Sequence, residues 1–185
     1  MRFTLKKIVG VLRTMLWELK SCGRFKAESR VVLGSHSKIM TRKKTQINMA
    51  KGCIISENVY ISVVEGTISI GNNNFFNRNI IIACRKKIQI GNNCSIGPGV
   101  TIYDHDHKIG KNGIEQGYNT KEIIIEDHCW IGANVTILRG THIGKNCVIG
   151  AGCVVKGNIP DGTLVVPETK NRFIDLNEKY GTQDE

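Results

Sequence analysis

The sequence is poor in proline, aromatic residues and long apolar runs. Of its 185 residues, 3 are proline and 6% are aromatic, against 20 glycines. No run of 18 apolar residues occurs, so we expect no membrane-spanning helix. No strict Gly-X-Y repeat occurs, which excludes collagen. Apolar residues make up 41% and charged residues 23% of the chain. These values are ordinary for one folded domain and exclude wholesale disorder.

Acidic residues are scarce in the first quarter of the chain. Residues 1–50 contain 12 Lys and Arg against 2 Asp and Glu, whereas residues 51–185 contain 14 of each. The formal net charge of +10 therefore belongs to residues 1–50. Such a charge suggests nucleic-acid binding. The rest of the chain is neutral and shows no nucleic-acid motif, so we expect no nucleic-acid partner.

The cysteine pattern lacks the features of a disulfide framework or a zinc ribbon. The number is odd and no Cys-x-x-Cys occurs, which argues against both. Free thiols favour a reducing compartment, most simply the cytoplasm. The seven are Cys22, Cys53, Cys84, Cys94, Cys129, Cys147 and Cys153.

Residues 1–20 have the pattern of a basic amphipathic helix. Apolar residues recur at helical spacing, with Lys and Arg largely between them. Two interpretations stay open for this segment, which we take with its linker as residues 1–30. The helix packs on the end of the domain, or it binds an anionic membrane surface as a peripheral contact. The apolar positions are Leu5, Ile8, Leu12, Met15, Leu16 and Leu19.

A six-residue repeat dominates the body of the chain. Small or β-branched residues stand two positions before most of its aliphatic positions, as at Cys129 and Cys147. A six-residue period predicts an all-β fold, a parallel β-helix with three short strands in each 18-residue coil. We expect this domain to span 31–166 and the two cysteines to stack in its core. Glycines following the aliphatic positions are expected to have positive φ. The aliphatic positions are Ile125, Ile131, Ile137, Ile143, Ile149 and Val155.

The repeat fails between residues 103 and 122, which predicts a loop extruded from the β-helix. Long loops in compact domains usually carry function. This one opens with the densest group of titratable residues in the chain, Tyr103-Asp104-His105-Asp106-His107. Three interpretations stay open: a general base, a metal site and a solvated loop.

Four motifs carry a resemblance to a known family. They are Ile-Gly-Pro-Gly-Val-Thr-Ile at 96–102, Asp-His-Asp-His at 104–107, Cys-Trp-Ile-Gly-Ala-Asn-Val at 129–135 and Ile-Gly-Ala-Gly-Cys-Val-Val at 149–155. Residues 53–160 resemble the hexapeptide-repeat, left-handed β-helix acyltransferases. Maltose and galactoside O-acetyltransferases and capsular or lipopolysaccharide O-acetyltransferases are the most similar groups. The resemblance implies a homotrimer with active sites between neighbouring chains. It also implies acetyl transfer from acetyl-CoA to a hydroxyl of a sugar or bacterial surface polysaccharide, with no metal.

The same resemblance implies roles for individual residues. His107 is the general base of a direct transfer, and a neutral imidazole at pH 7 suits that role. Residues implied to contact acetyl-CoA are Trp130, Gly132, Ala133, Gly150 and Ala151. On charge rather than resemblance, Lys156 and Lys170 are candidate partners of its phosphates. Asn77 stands where some sugar acetyltransferases have an acceptor-binding asparagine. The other candidate acceptor contacts are Arg85, Tyr103, Asp104, His105 and Asp106, of which His105 and the two aspartates could instead orient His107.

The sequence departs from the family at two places, and other functions stay open. Arg85, followed by Lys86 and Lys87, stands where the family has a sugar-binding aspartate. This basic edge either favours an acidic glycan or is a solvated run of charge; both interpretations stay open. The usual ending is missing from the tail, residues 167–185. The alternatives are N-acetylation of an amino sugar, a zinc enzyme resembling the γ-class carbonic anhydrases, and a scaffold without catalysis.

Overall fold

The structure, a computed structural model, describes residues 2–111 and 113–168. The predicted coenzyme A contact Lys170 and most of the tail lie outside the described residues. Helix α1 (Arg2–Lys20) occupies the segment predicted as helical. Within the described part of the chain, no helix combines the length and apolarity that a transmembrane span requires.

In the part of the chain that the structure describes, twenty-two short strands follow the helix. Before the interruption they are β1 (Phe25–Ala27), β2 (Val32–Leu33), β3 (Lys38–Thr41), β4 (Gln46–Met49), β5 (Ile54–Ile55), β6 (Tyr60–Val63), β7 (Thr67–Ile70), β8 (Phe75–Phe76), β9 (Ile81–Cys84), β10 (Lys87–Ile90), β11 (Ser95–Ile96) and β12 (Thr101–Tyr103). The interruption contains β13 (His105–Gly110) and β14 (Gly113–Thr120). After it come β15 (Ile123–Ile125), β16 (Trp130–Ile131), β17 (Thr136–Ile137), β18 (His142–Ile143), β19 (Val148–Ile149), β20 (Val154–Val155), β21 (Asn158–Ile159) and β22 (Leu164–Val165).

The strands form three parallel sheets, the faces of a triangular β-solenoid. Sheet A has the order β1-β4-β7-β10-β15-β18-β21, sheet B the order β2-β5-β8-β11-β16-β19-β22, and sheet C the order β3-β6-β9-β12-β17-β20. The chain passes from A to B to C in every coil, which creates three corners, called A–B, B–C and C–A below. The predicted parallel β-helix is confirmed.

The solenoid begins earlier than the sequence pattern indicated. Its first strand starts at Phe25, inside the segment assigned to the helix and linker. Before the interruption, 22, 21 and 20 residues separate the stacked core positions Phe25, Ile47, Ile68 and Ile88. After it, Ile125 and Ile143 are 18 apart. The early coils are longer because several strands in sheets A and C have four residues. Longer coils blur a six-residue repeat.

The glycines of the repeat are required by close approach between coils, and the expectation of positive φ was wrong for them. Gly97 and Gly132 are absent from the positive-φ residues. A Cβ at Gly132 would lie 2.6 Å from the backbone nitrogen of Ala151, and one at Gly97 would lie 2.8 Å from that of Ala133. Positive φ occurs two residues later, as at Gly99. A glycine column therefore lets successive coils touch backbone to backbone at the B–C corner.

Helix α1 closes the N-terminal end of the solenoid. It packs across β1 and β2, whose outer edges would otherwise present unpaired backbone groups. Glu18 accepts the backbone N–H of Ala27 at 2.8 Å, and Arg13 donates to the carbonyl of Leu33 at 2.7 Å. The hydroxyl of buried Thr14 lies 3.1 Å from the carbonyl oxygen of Val31. The helix thus protects the first coil through polar contacts, and this packing confirms the docked interpretation.

The A–B corner is a continuous ladder of small buried side chains. Cys129 and Cys147 occupy adjacent coils, as predicted for core positions. Asn74 stands in the same column and is also buried. Its side-chain amide donates to the carbonyls of Gly71 and Gly91 at 2.9 and 2.7 Å. Each coil is therefore tied to the next along this corner.

Candidate functional site

The predicted extruded loop is a β-hairpin that leaves the solenoid at the C–A corner. Strands β13 and β14 pair antiparallel, with an irregularity between His107 and Lys108. At the neck, the backbone N–H of Lys121 donates to the carbonyl of Asp104 at 2.9 Å. The two ends of the hairpin are therefore joined by a backbone hydrogen bond, and the solenoid resumes at β15.

Asp104 is the anchor of the hairpin, because its side chain is buried and fully engaged. One carboxylate oxygen accepts the backbone N–H of Arg85 at 2.8 Å. The other accepts those of Lys86 and Lys87 at 2.7 and 2.9 Å. The side chain has no exposed surface. The structure therefore does not place Asp104 where an acceptor could contact it; its carboxylate instead holds the turn of the preceding coil.

His105 is oriented by this same carboxylate. Its Nδ1 lies 3.0 Å from Oδ1 of Asp104, and its side chain is 18% exposed. The ring lies edge-on to Tyr103 and to Tyr118, with centroid distances of 6.3 and 5.4 Å. A neutral imidazole that donates from Nδ1 leaves Nε2 as the acceptor. The geometry fixes both the tautomer and the plane of this ring.

His107 lies on the same face of β13 and is exposed. Its ring centroid is 4.7 Å from that of Tyr118, with the planes tilted by 42°. The guanidinium of Arg85 covers the Tyr118 ring at 3.5 Å from its centroid. Glu65, on the preceding coil, lies 3.8 Å from the same guanidinium. We call Arg85, Tyr103, His105, His107 and Tyr118 the hairpin cluster.

Asp106 lies on the opposite face of the hairpin from the two histidines. Its carboxylate accepts a hydrogen bond from Nε of Arg139, on the following coil. This ion pair holds the hairpin against the solenoid from the C-terminal side, while Asp104 holds it from the N-terminal side. Asp106 was predicted to contact the acceptor, but its carboxylate is instead paired with Arg139 of the same chain.

The residues implied for acetyl-CoA lie mainly on another part of the molecule. Trp130 is the first residue of β16 on sheet B, and its side chain is 57% exposed. Ala133 and Ala151 stack on adjacent coils at the B–C corner. Gly132, buried in the glycine column, allows the coils to meet there. We call Trp130, Ala133 and Ala151 the corner strip.

Two other predicted residues divide between these surfaces. Asn77 shares the B–C column with Gly132 and Gly150. It lines a groove of about 630 Å³ between α1 and sheet B, together with Arg78. Lys156, in contrast, follows β20 at the C–A corner, in the column of Tyr103 but two coils further on, with Leu138 between them. A single chain therefore brings Asn77 toward the corner strip and Lys156 toward the hairpin.

Two residues of this arrangement were not predicted from the sequence. Tyr118 contacts both histidines and Arg85, and Arg139 pairs with Asp106. The Asn112-Gly113 pair in the sequence is a hairpin signal that would have paired Tyr118 with His107. No sequence signal singles out Arg139, because its contact depends on the stacking of coils.

The polar groups of the site show no metal-binding arrangement. Across the described residues, no three His, Cys, Asp or Glu side chains come together as a candidate metal site. Every buried side-chain nitrogen or oxygen of the described residues has a hydrogen-bond partner. The arrangement offers the exposed imidazole of His107 beside partly buried phenol and guanidinium groups, which suit proton transfer and binding of a polar acceptor.

Comparison with known proteins agrees with this architecture. Residues 122–156 match the family model described as the hexapeptide repeat of succinyl-transferase. The galactoside O-acetyltransferase of Lactococcus lactis is 34% identical over 124 residues, covering 66% of this chain and 59% of that protein. The putative lipopolysaccharide biosynthesis O-acetyl transferase WbbJ of Escherichia coli is 34% identical over 110 residues, covering 54% and 56%. The chain thus spans under two thirds of the length of these curated relatives.

A solved structure supports the fold. The N-acyltransferase AntD of Bacillus cereus, crystallised with dTDP and coenzyme A, superimposes with a TM-score of 0.70 at 18% identity, covering 88% of this chain and 91% of that one. The repeat match, the two O-acetyltransferase relatives and this solved structure agree that the fold is a hexapeptide-repeat β-solenoid. The chain is similar to the hexapeptide-repeat acyltransferases.

Proposed function

We propose that the protein is an acetyl-CoA-dependent O-acetyltransferase that modifies a hydroxyl of a sugar or bacterial surface polysaccharide. The observation that carries the proposal is the hairpin cluster, with two histidines presented on one face beside Tyr118 and Arg85. It stands on a hexapeptide solenoid whose relatives include galactoside and lipopolysaccharide O-acetyltransferases. The free thiols favour the cytoplasm as its compartment.

His107 is the proposed general base. A sugar hydroxyl is a poor nucleophile until its proton is removed, and a neutral imidazole removes it as oxygen attacks the thioester carbon. Such assistance contributes about 10²–10⁴-fold to the rate. The new carbon–oxygen ester bond forms while the carbon–sulfur bond breaks, and the proton passes through His107 to the departing thiolate. No covalent enzyme intermediate is needed, because the thioester is already activated.

His105 is the proposed positioning partner in this cluster. The buried carboxylate of Asp104 fixes its Nδ1, so its ring has one tautomer and one orientation. Its ring lies edge-on to Tyr118, and the ring of His107 contacts the same tyrosine. A fixed wall of aromatic rings keeps the acceptor hydroxyl within reach of the base.

A cationic group at the acceptor side favours an acidic glycan. Arg85 lies over Tyr118 beside the histidines, and its ion pair with Glu65 is long, at 3.8 Å. Lys86 is exposed next to it. A carboxylate on the acceptor would bind this edge through charge-assisted hydrogen bonds.

The complete site is proposed to form between chains of a homotrimer. The hairpin cluster lies at the C–A corner, whereas the corner strip lies at the B–C corner of the same solenoid. Side-by-side packing of solenoids would place the hairpin of one chain over the corner strip of its neighbour. Acetyl-CoA would then lie along Trp130, Ala133 and Ala151 and meet His107 from the adjacent chain.

The test measures thiol release from acetyl-CoA with a panel of neutral and acidic glycans. We expect release that requires both a glycan and His107, and a loss of about 10²–10⁴-fold in His107→Asn. His128→Asn is the matched control, because His128 is exposed and its φ of 61° suits asparagine. Light scattering on the same samples reports the oligomeric state.

Three outcomes would contradict parts of this proposal. Full activity in His107→Asn with loss in His105→Asn would move the base to His105. A monomer that is fully active would remove the shared site. A product that survives mild alkali would indicate an amide and hence N-acetylation, since esters are hydrolysed under those conditions.

A further inference from the structure

We propose that the outward face of helix α1 binds the surface of an anionic lipid bilayer. The structure turns the apolar side of this helix away from the solenoid. Its large apolar side chains are between 43% and 76% exposed, in contrast to the solenoid core. They are Leu5, Ile8, Val9, Leu12, Met15, Leu16 and Leu19.

The helix is held to the solenoid by its opposite side, which carries small and polar residues together with the partly buried Trp17. Gly10 and Thr14 are buried, and a Cβ at Gly10 would lie 2.4 Å from the Val32 side chain. At about 100° per residue, the exposed apolar residues cover a sector of about 120°, centred opposite these two positions. Docking therefore leaves most of the apolar sector exposed, although Leu5 and Val9 also line the groove against sheet B. An amphipathic helix that already has its own polar attachment keeps its apolar face available for a partner.

Basic residues border this sector along one side. Lys6, Arg13 and Lys20 are spaced by seven residues, which places them in one row along the helix. Lys6 and Lys20 are exposed, while Arg13 is half-buried and bonded to the solenoid. A row of cations beside an exposed apolar face is the arrangement of helices that lie in the interface of anionic membranes.

The charge of the surrounding solenoid end favours lipid over a second copy of the helix. Residues 1–50 carry the whole net charge of +10. Two copies facing each other through α1 would bring these positive ends together, whereas an anionic bilayer neutralises them. The helix also lies across the end of the solenoid, where a flat surface can approach it. In the trimer proposed above, three such helices at one end would strengthen binding through avidity.

The test is cosedimentation of the full-length protein with vesicles of phosphatidylcholine, with and without phosphatidylglycerol. We expect binding to the anionic vesicles only, weakening as salt is raised. Leu12→Glu with Leu16→Glu should reduce binding at least about tenfold, because two side chains lose their burial in lipid. Lys6→Glu with Lys20→Glu should reduce it about tenfold through charge.

Matched control variants distinguish an effect specific to the outward face of α1 from a general effect of added negative charge. Val154→Glu with Leu164→Glu alters two exposed apolar residues at the other end of the solenoid, and Lys108→Glu with Lys111→Glu alters two exposed lysines of the hairpin. Both controls should bind like the wild type. Circular dichroism verifies folding, and vesicle binding is independent of acetyl transfer.

Equal binding by the wild type and the Leu12→Glu, Leu16→Glu protein would overturn the proposal. Equal binding to neutral and anionic vesicles would overturn its electrostatic part. Dissociation of an oligomer by the same double substitution, without any vesicle binding by the wild type, would assign the face to a second copy of the chain.

Discussion

The A–B and C–A corners of the solenoid both join neighbouring sheets through short turns, yet they have opposite character. At the A–B corner, Asn74 and the cysteines form an unbroken buried ladder, and the polar groups there hold one coil on the next. At the C–A corner the ladder is interrupted by a hairpin, and Asp104 replaces the missing coil contacts. The side chains of the regular A–B ladder are buried in the core. The hairpin at the C–A corner, anchored by Asp104, instead presents several side chains at the surface that can take part in chemistry.

The comparison also shows why the buried groups of the two corners differ in charge. The A–B corner stacks neutral amides and thiols, which satisfy one another along the column. The turn at Arg85–Lys87 points three backbone N–H groups at one place, and only a carboxylate has enough acceptor capacity for them. A buried charge is tolerated at Asp104 because every lone pair direction meets a donor.

The largest expected effect on stability is that of Asp104→Asn. An amide keeps one acceptor oxygen and turns an NH₂ group toward backbone donors, and each orphaned buried donor costs about 1–3 kcal/mol. We expect a loss of about 3 kcal/mol in unfolding free energy, measured by denaturant titration. Acetyl transfer should also fall, because His105 loses its orienting partner. Asp127→Asn, at a half-buried turn of the A–B corner, serves as control. It should change stability far less, because the amide oxygen of asparagine can still accept the backbone N–H of Asn92.

The corresponding substitution at the A–B corner is Asn74→Ala. It removes an amide that donates to two carbonyls and accepts the backbone N–H of Cys94 at 2.7 Å. We expect a loss of about 2 kcal/mol, from the orphaned groups and the small cavity. Denaturant titration would measure it. Thiol-release activity should stay at the wild-type value, and a loss of activity in the folded variant would contradict the separation of the two corners.

The smallest effect concerns the thiols. Burial raises the pKa of Cys53, and burial together with the Asp104 carboxylate raises the pKa of Cys84. Since the thiolate is the reactive form, these thiols should be inert near neutral pH. We expect a thiol reagent to label Cys22, the exposed cysteine, in the native protein and all seven after unfolding. Rapid labelling of Cys84 in Asp104→Asn, but not in the wild type, would show that Asp104 protects this thiol at the C–A corner. Labelling of Cys94 or Cys129 in the native wild type would contradict the continuous buried ladder at the A–B corner.

Much of the fold could be predicted from the sequence, because each stacked coil needs core residues at a fixed interval along the chain. Ile125 to Val155 recur every six residues, and each lies in the core. Before the interruption, the four-residue strands lengthen the coils, so the first of them, beginning at Phe25, escaped the pattern. The role of the repeat glycines was also misjudged, since close approach between coils is a contact that no single strand reveals.

The candidate site could be predicted only in its location and its residue types. The break in the repeat and the Asp-His-Asp-His run marked the hairpin and its histidines. Sequence alternation could not show that Asp104 turns inward to the preceding coil while Asp106 meets Arg139 on the next one. Both contacts join residues far apart in the chain, and their partners depend on which coil lies above and below.

The sequence by itself determined the repeat, the place where it breaks and the amphipathic pattern of the first twenty residues, because all three are periodicities of the chain. The tertiary structure alone decided the direction of each polar group. It turned Asp104 inward, brought Tyr118 and Arg85 to the histidines, separated the hairpin cluster from the corner strip, and left the apolar face of α1 outward. The physical reason is that stacking fixes the neighbours between coils, and a side chain with several partners within reach takes the direction that satisfies the most buried donors.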